Sequence, residues 1–302
     1  MIPILFHLGP FKIYSYGLML GIGFLLGSYV LSLELRRKKL DPSMASTITV
    51  LGVIFGIAGA KILFLIEEWD RFLADPLGMA FSPGGLTWYG GLFLGVLSVY
   101  LYLRRRKVPA WKVWDAIAIG LMIGYGVARL GCHFSGDGDY GTPTTLPWGT
   151  LYYNGTYKPT QALADYFDHH PAERERWRYD ELRTRIAGRD GQGIPYTEFD
   201  RVTPLHPAPV YEMILGVVGF LILWRLRKRD WPDGMLFFVY LILASVFRFS
   251  VESLRLNPRI LFGLSEAQLL SILLFVAGVA GVWVLRRKQA ADHAGGRVRT
   301  AP

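Results

Sequence analysis

Arg248, Glu252 and Arg255 stand at i, i+4 and i+7 at the end of a long apolar run. On a helix this interval puts all three on one face. Charges within an apolar run are costly in a membrane and mark functional sites by default. Arg129 and Lys61 interrupt two other apolar runs, and Tyr16, Tyr89, His206 and Glu212 stand near the ends of three more. A guanidinium matches phosphate through paired, charge-assisted hydrogen bonds. The chemistry this set suggests is capture of a phospholipid headgroup. The plainer reading is an Arg248–Glu252 structural ion pair, with Arg129 and Lys61 snorkelling to headgroups. Several bases from separate runs meeting acids and tyrosines at one depth favour the binding reading, but do not by themselves supply a reaction.

The runs that must position these residues cover roughly 14–35, 44–66, 84–103, 113–131, 208–226, 234–253 and 266–285. Each has about twenty residues, enough for a helix to cross a ~30 Å hydrocarbon core. Basic clusters follow the first, third, fifth and seventh runs: Arg36-Arg37-Lys38-Lys39, Arg104-Arg105-Arg106-Lys107, Arg225 with Arg227-Lys228-Arg229, and Arg286-Arg287-Lys288. If all seven runs cross, every cluster falls on one side. The positive-inside rule then puts the N-terminus outside and the C-terminus in the cytoplasm. The acidic Glu67-Glu68-Trp69-Asp70 after the second run agrees. With this orientation the ionisable residues gather toward the outer leaflet.

The expected fold is therefore an all-α integral membrane protein of seven transmembrane helices. Residues 1–131 carry helices one to four, 132–207 form an exterior head, 208–288 carry helices five to seven, and 289–302 make a disordered cytoplasmic tail. Within the head, turn-rich residues 136–149 precede a polar stretch, 161–189, that reads as one or two amphipathic helices. The net charge of +9 is spent in short loops facing anionic lipid, which excludes a nucleic-acid partner. Four small-xxx-small pairs, Gly17/Gly21, Gly52/Gly56, Gly91/Gly95 and Gly120/Gly124, read as helix-packing sites. The single cysteine, Cys132, allows no intrachain disulfide. The N-terminus lacks a basic region and a cleavage site, so the first run reads as retained. No cofactor is expected, and no His, Cys or Asp spacing suggests a metal.

Several strings, in order along the chain, resemble the motifs of the prolipoprotein diacylglyceryl transferase family. They are His7-Leu8-Gly9-Pro10 with Tyr14-Ser15-Tyr16-Gly17, Gly59-Ala60-Lys61, Gly84-Gly85-Leu86-Thr87-Trp88-Tyr89-Gly90-Gly91, Ala128-Arg129-Leu130-Gly131, His206-Pro207-Ala208-Pro209-Val210-Tyr211-Glu212, Phe247-Arg248-Phe249-Ser250-Val251-Glu252 and Leu264-Ser265-Glu266-Ala267-Gln268. The resemblance covers nearly the whole chain. It implies a bacterial inner-membrane enzyme that moves a diacylglyceryl group from phosphatidylglycerol to the lipobox cysteine of a lipoprotein precursor, just after its signal segment. The products are a thioether and glycerol-1-phosphate.

The residues suit that reaction. Arg248 and Arg129 would stabilise the departing phosphate oxygen as preorganised donors. Tyr89 and Glu252 complete the expected catalytic group, and Tyr16, Lys61, His206, Glu212, Asp137 and Asp139 frame the substrates. The acceptor thiol must lose its proton, since a free cysteine titrates at about 8.5. Tyr89, His206 and Glu212 are all candidates for the base; a tyrosine, ordinarily near ~10, serves only if Arg129 or Lys61 lowers it.

The family signature after the fourth span, Gly-Arg-x-Gly-Asn-Phe-x-Asn-Gly-Glu, is altered here to Ala128-Arg129-Leu130-Gly131-Cys132-His133-Phe134-Ser135-Gly136-Asp137-Gly138-Asp139. Both asparagines are gone, and Asp137 or Asp139 takes the place of the acid. Lys61 stands where the family prefers arginine. Cys132, at an asparagine position, reads as a small packing residue rather than a catalytic thiol. Two other function classes compete: a transporter of anionic lipid, which would need polar residues in the inner halves of the spans, and a non-catalytic relative that binds lipid or precursor.

Overall fold

The computed structural model describes residues 1–9, 11–82, 84–152, 154–157, 159–177 and 203–299. The chain opens with an antiparallel hairpin, β1 (Ile4–Leu8) and β2 (Phe11–Tyr14), in register Leu8↔Phe11 and His7↔Lys12, with an irregularity between Ile4 and Phe6. The all-α expectation missed this hairpin. Gly9, between the two strands, has φ +59°, a conformation that glycine adopts without strain.

The long helices are α1 (Ser15–Arg37), α2 (Met44–Glu67), α5 (Trp88–Arg105), α6 (Ala110–Ser135), α9 (Ala208–Leu226), α10 (Met235–Glu252) and α11 (Glu266–Arg299). They coincide with the seven apolar runs. Six of them are long and apolar enough to cross a membrane; α5 is the exception. Its 18 residues begin Trp88-Tyr89-Gly90-Gly91 and end Arg104-Arg105, which lowers the mean hydropathy. α11 continues to Arg299, through most of the stretch assigned to a tail. Short helices α3 (Trp69–Ala74) and α4 (Pro76–Phe81) join α2 to α5. In the segment expected to be amphipathic, α7 (Thr160–His169) and α8 (Pro171–Arg176) form, while residues 178–202 lie outside the described residues.

The chain divides into two compact units, Met1–Gly27 with Leu121–Pro302, and Ser28–Gly120. The second unit has a core of Leu31, Leu35, Met44, Ile48, Leu103 and Val113. Glu34 and Asp115, both buried, are paired there with Arg37 at 2.8 Å and Lys38 at 2.9 Å. α2 and α5 meet glycine to glycine. A Cβ on Gly90 would lie 2.2 Å from the Gly59 carbonyl oxygen, and one on Gly91 2.7 Å from that of Gly56. Such contact lets two backbones approach as closely as helices can. Gly85, at φ +71°, faces the Phe64 ring so closely that a Cβ would lie 2.2 Å from it. The Gly84–Gly91 string is thus a packing device.

In the first unit, Gly124 packs on Gly23, and Gly126 of α6 on Gly216 of α9, backbone against backbone. In α10, the Ile242 side chain lies against Gly278 of α11 and the Phe238 ring against Gly281. Gly17 and Gly21, expected to pack helices, face nothing within 4 Å where a Cβ would point. A separate core of Tyr140, Tyr152, Leu163, Phe167 and Leu205 holds the connection between α6 and α9 together.

Candidate active site

The Gly126–Gly216 contact sets the geometry of the site. Arg129 lies three residues beyond Gly126, and Glu212 four residues before Gly216, so close approach of the two backbones brings the side chains together across α6 and α9. Arg129 Nε is 3.1 Å from Glu212 Oε2. Arg248, from α10, donates to the other oxygen of the same carboxylate. Tyr125, one turn before Arg129, donates its hydroxyl to Glu212 Oε1 at 2.8 Å, and its ring lies under the Arg129 guanidinium at 4.9 Å.

The pairing continues. Arg248 Nη2 is 3.1 Å from Glu252 Oε2, and Arg255 Nε is 3.8 Å from the same oxygen. Asn257 and Ser265 donate to Glu252 Oε1 at 2.7 and 2.8 Å. Asp139 accepts from Arg255 on one oxygen and from Arg129 on the other. The six groups close a ring in which guanidinium and carboxylate alternate: Arg129, Glu212, Arg248, Glu252, Arg255, Asp139 and back to Arg129. Glu212 and Glu252 are sealed from solvent, whereas the Asp139 side chain is 23% exposed. Burying three charge pairs is tolerable because each ion has an opposite partner on both sides. Burial, and then the nearby charge of Arg129, push Arg255 down to about 10.

Asp139 is set by the backbone that follows it. Gly141 N–H bonds to the His206 carbonyl at 2.9 Å, His206 N–H to Thr142 O at 3.0 Å, and Thr142 N–H to Leu254 O at 2.7 Å. The loop is therefore pinned between the segments that enter α9 and leave α10. His206 belongs to this frame, outside the ring. Its Nδ1 lies 3.0 Å from the Tyr211 hydroxyl, which accepts from Trp148 Nε1 at 2.8 Å. Burial lowers the pKa of His206, so its imidazole is neutral near pH 7.

Sequence reasoning placed Arg129, Arg248, Glu212, Glu252 and Asp139 in one site, and the structure gathers all five. Asp137 lies beside them, with its Oδ1 buried and lacking a hydrogen-bond partner among the described residues. Tyr16 contributes backbone contact: a Cβ on Gly131 would sit 3.2 Å from its Cα. Lys61 and Tyr89 belong to the other unit. The three protons of the Lys61 ammonium find Ser82 O at 3.0 Å, Ser82 Oγ at 2.8 Å and Gly84 O at 2.8 Å, which uses every donor it has. Arg255 was placed on the Arg248 face by its i+7 spacing but was given no role in the site, and Ser265 entered only within a family string. Tyr125 and Asn257 were not expected there; the i−4 spacing from Arg129 carried the signal for Tyr125, and nothing local marks Asn257.

Cys132, Asp137 and Asp139 bring ligand atoms within 4.8 Å of one another, a grouping that spacing did not reveal. Both Asp139 oxygens are committed to guanidiniums, and Arg129 Nη1 lies 3.7 Å from Cys132 Sγ. Positive charge already occupies this corner, so the group reads as part of the arginine site rather than as a cation site.

Apolar helices of spanning length, together with a ring of three guanidiniums and three carboxylates within the first unit, define a multi-pass membrane protein with an arginine-based polar site. The family model described as prolipoprotein diacylglyceryl transferase matches residues 3–284, and the chain belongs to that family. It is 28% identical over 302 residues to a phosphatidylglycerol–prolipoprotein diacylglyceryl transferase of Parasynechococcus marenigrum, covering 95% of each chain. Proteins of the same name from Halalkalibacterium halodurans and Clostridium tetani are 28% and 27% identical. Those alignments cover 93% and 92% of this chain and 86% and 96% of theirs.

Proposed function

We propose that this chain transfers the diacylglyceryl group of phosphatidylglycerol to the lipobox cysteine of a prolipoprotein, forming a thioether and releasing glycerol-1-phosphate. The observation that carries the reading is the meeting of Arg129 and Arg248, from two different helices, on one carboxylate, in a chain of this family. The acceptor thiolate attacks the lipid glycerol carbon that bears the phosphate. The carbon–oxygen bond breaks, and its electron pair leaves on the phosphate oxygen. Guanidiniums held in place beforehand stabilise that charge without reorganising. The thiol proton passes to a base. Of Tyr89, His206 and Glu212, Glu212 is already engaged with two arginines and Tyr125, and the neutral His206 ring retains basic character.

In this reading α5, the third run, also crosses, because only seven crossings put the four basic clusters on one side. The N-terminus is then outside the bacterial inner membrane, the C-terminus cytoplasmic, and residues 132–207 form an exterior head. The ring lies toward the outer leaflet, where the phospholipid and the precursor's signal segment enter sideways between helices. The buried pairing of Glu34 and Asp115 with basic neighbours gives no support to a transport path through the inner halves.

The test is purified protein with labelled phosphatidylglycerol and a lipobox peptide. Lipidated peptide is expected, and neither Arg129→Ala nor Arg248→Ala should make it while remaining folded. Undiminished turnover in both variants defeats the phosphate-stabilisation mechanism.

A further inference from the structure

The three carboxylates of the ring are not equivalent. Glu212 is fixed by Tyr125 as well as by its two arginines, and Glu252 by Asn257 and Ser265. Both are sealed from solvent. Among the described residues Asp139 has only Arg129 and Arg255 as ion partners, and its side chain is 23% exposed. It comes from a loop, between Gly138 at φ +101° and the pinned Gly141. Charge separates it further. With Asp139 in place, three positive and three negative groups cancel. With Asp139 turned away, the ring carries one net positive charge, which a phosphodiester monoanion would balance. Arg255 is 5% exposed, and its Nη1 has no hydrogen-bond partner among the described residues. A buried guanidinium proton without an acceptor is costly, so a donor stands ready for an anion that offers more oxygens than a carboxylate does.

We propose that the gap between Arg129 and Arg255 is the seat of the lipid's phosphate, and that Asp139 holds this seat as a built-in stand-in until the phosphate displaces it. This rests on the transferase reading of the ring. Arg255 is then a third phosphate-binding arginine beside Arg129 and Arg248. The exchange needs only rotation of the Asp139 side chain, because the backbone on its C-terminal side stays tied through Gly141 and Thr142 to His206 and Leu254. No covalent bond changes: one monoanion replaces another on the same donors. After transfer, the carboxylate is again the competitor for the seat that glycerol-1-phosphate must leave.

Direct binding of labelled glycerol-1-phosphate to the full-length protein, in nanodiscs of phosphatidylcholine alone, tests this without requiring turnover. Asp139→Asn removes the internal competitor's charge, and affinity should rise about tenfold, the effect of roughly one favourable ion contact. Asp139→Glu, which keeps the charge, should stay near wild type, and Arg255→Gln should weaken binding by about tenfold or more. Inorganic phosphate should follow the same order if the seat recognises phosphate alone. Nanodiscs doped with phosphatidylglycerol should compete for the seat, and better in Asp139→Asn, if the lipid headgroup uses it. Melting curves establish that each variant is folded. If Asp139→Asn binds no more tightly than wild type while the wild-type protein lipidates lipobox peptide, the stand-in is overturned and the transferase stands. If Asp139→Asn tightens binding but the wild-type protein lipidates nothing, the seat stands and the transferase reading falls.

Discussion

Gly126 and Gly216 touch backbone to backbone: a Cβ on Gly216 would lie 2.8 Å from the Gly126 Cα. One turn away on each helix stand Arg129 and Glu212, 3.1 Å apart. The contact between the two glycines therefore sets the separation of the first ion pair of the ring. Gly216→Val should push α6 from α9. Overpacking of this kind costs about 1–3 kcal/mol, so thermal unfolding in detergent should shift downward. Transfer measured on the folded fraction should fall as well, because the ring opens. Unchanged transfer in a folded Gly216→Val protein would mean that the ring tolerates helix separation.

Glu212→Gln keeps the shape of the side chain and removes the charge that Arg129 and Arg248 share. Breaking a buried pair by neutralising one partner costs about 3–5 kcal/mol. The unfolding transition should drop sharply, and Arg248→Met in the same chain should recover part of the loss by removing an unpaired charge. A double variant less stable than the sum of the two single changes would contradict this coupling.

Arg248→Lys keeps the charge but loses the planar fork that reaches Glu212 and Glu252 together. Transfer should fall by roughly 100-fold or more, the range seen when one preorganised donor is removed. Single-turnover rates with saturating phosphatidylglycerol would separate this from weaker lipid binding.

Lys61 offers a contrast. Its ammonium is fully used by Ser82 and Gly84, so Lys61→Met should act first on stability, by about 1–3 kcal/mol, through the turn that leads into α5. Its transfer rate, per folded molecule, should fall far less than that of Arg129→Ala. Equal losses would bring Lys61 back among the phosphate ligands.

The pH dependence of stability should carry the mark of His206. Burial holds its pKa below the ordinary 6.5, so below that pH the unfolded chain binds more protons than the folded one. Stability contributed by the neutral ring is complete above pH 6.5 and is lost as pH falls through the depressed value. Melting temperatures measured from pH 5 to pH 8 should fall more steeply on the acid side for wild type than for His206→Gln. Parallel curves would remove His206 as the source.

Much of this protein is written in one dimension. Crossing a bilayer requires about twenty apolar residues in a row, and a local rule of that kind is readable wherever it applies. Hence the helix positions were legible, α5 included, as were the i, i+4, i+7 face of Arg248, Glu252 and Arg255 and the order of the family strings. The hairpin at residues 4–14 was not, because two strands of five and four residues leave almost no periodic signal. Gly17/Gly21 and Gly52/Gly56 look alike in sequence; of the four, Gly56 alone meets another helix within 4 Å where a Cβ would point, and no local rule says which glycine face meets a partner.

Sequence alone determined which residues could be charged within an apolar chain, and so which few could bind an anion. Tertiary structure decided how they are shared: that Glu212 serves two arginines, that Asn257 and Ser265 lock Glu252, and that Asp139 reaches across 116 residues to Arg255. The reason is physical. A span's length and polarity are properties of neighbours along the chain, whereas the partner of a buried charge is selected by desolvation among all groups that packing brings within about 4 Å.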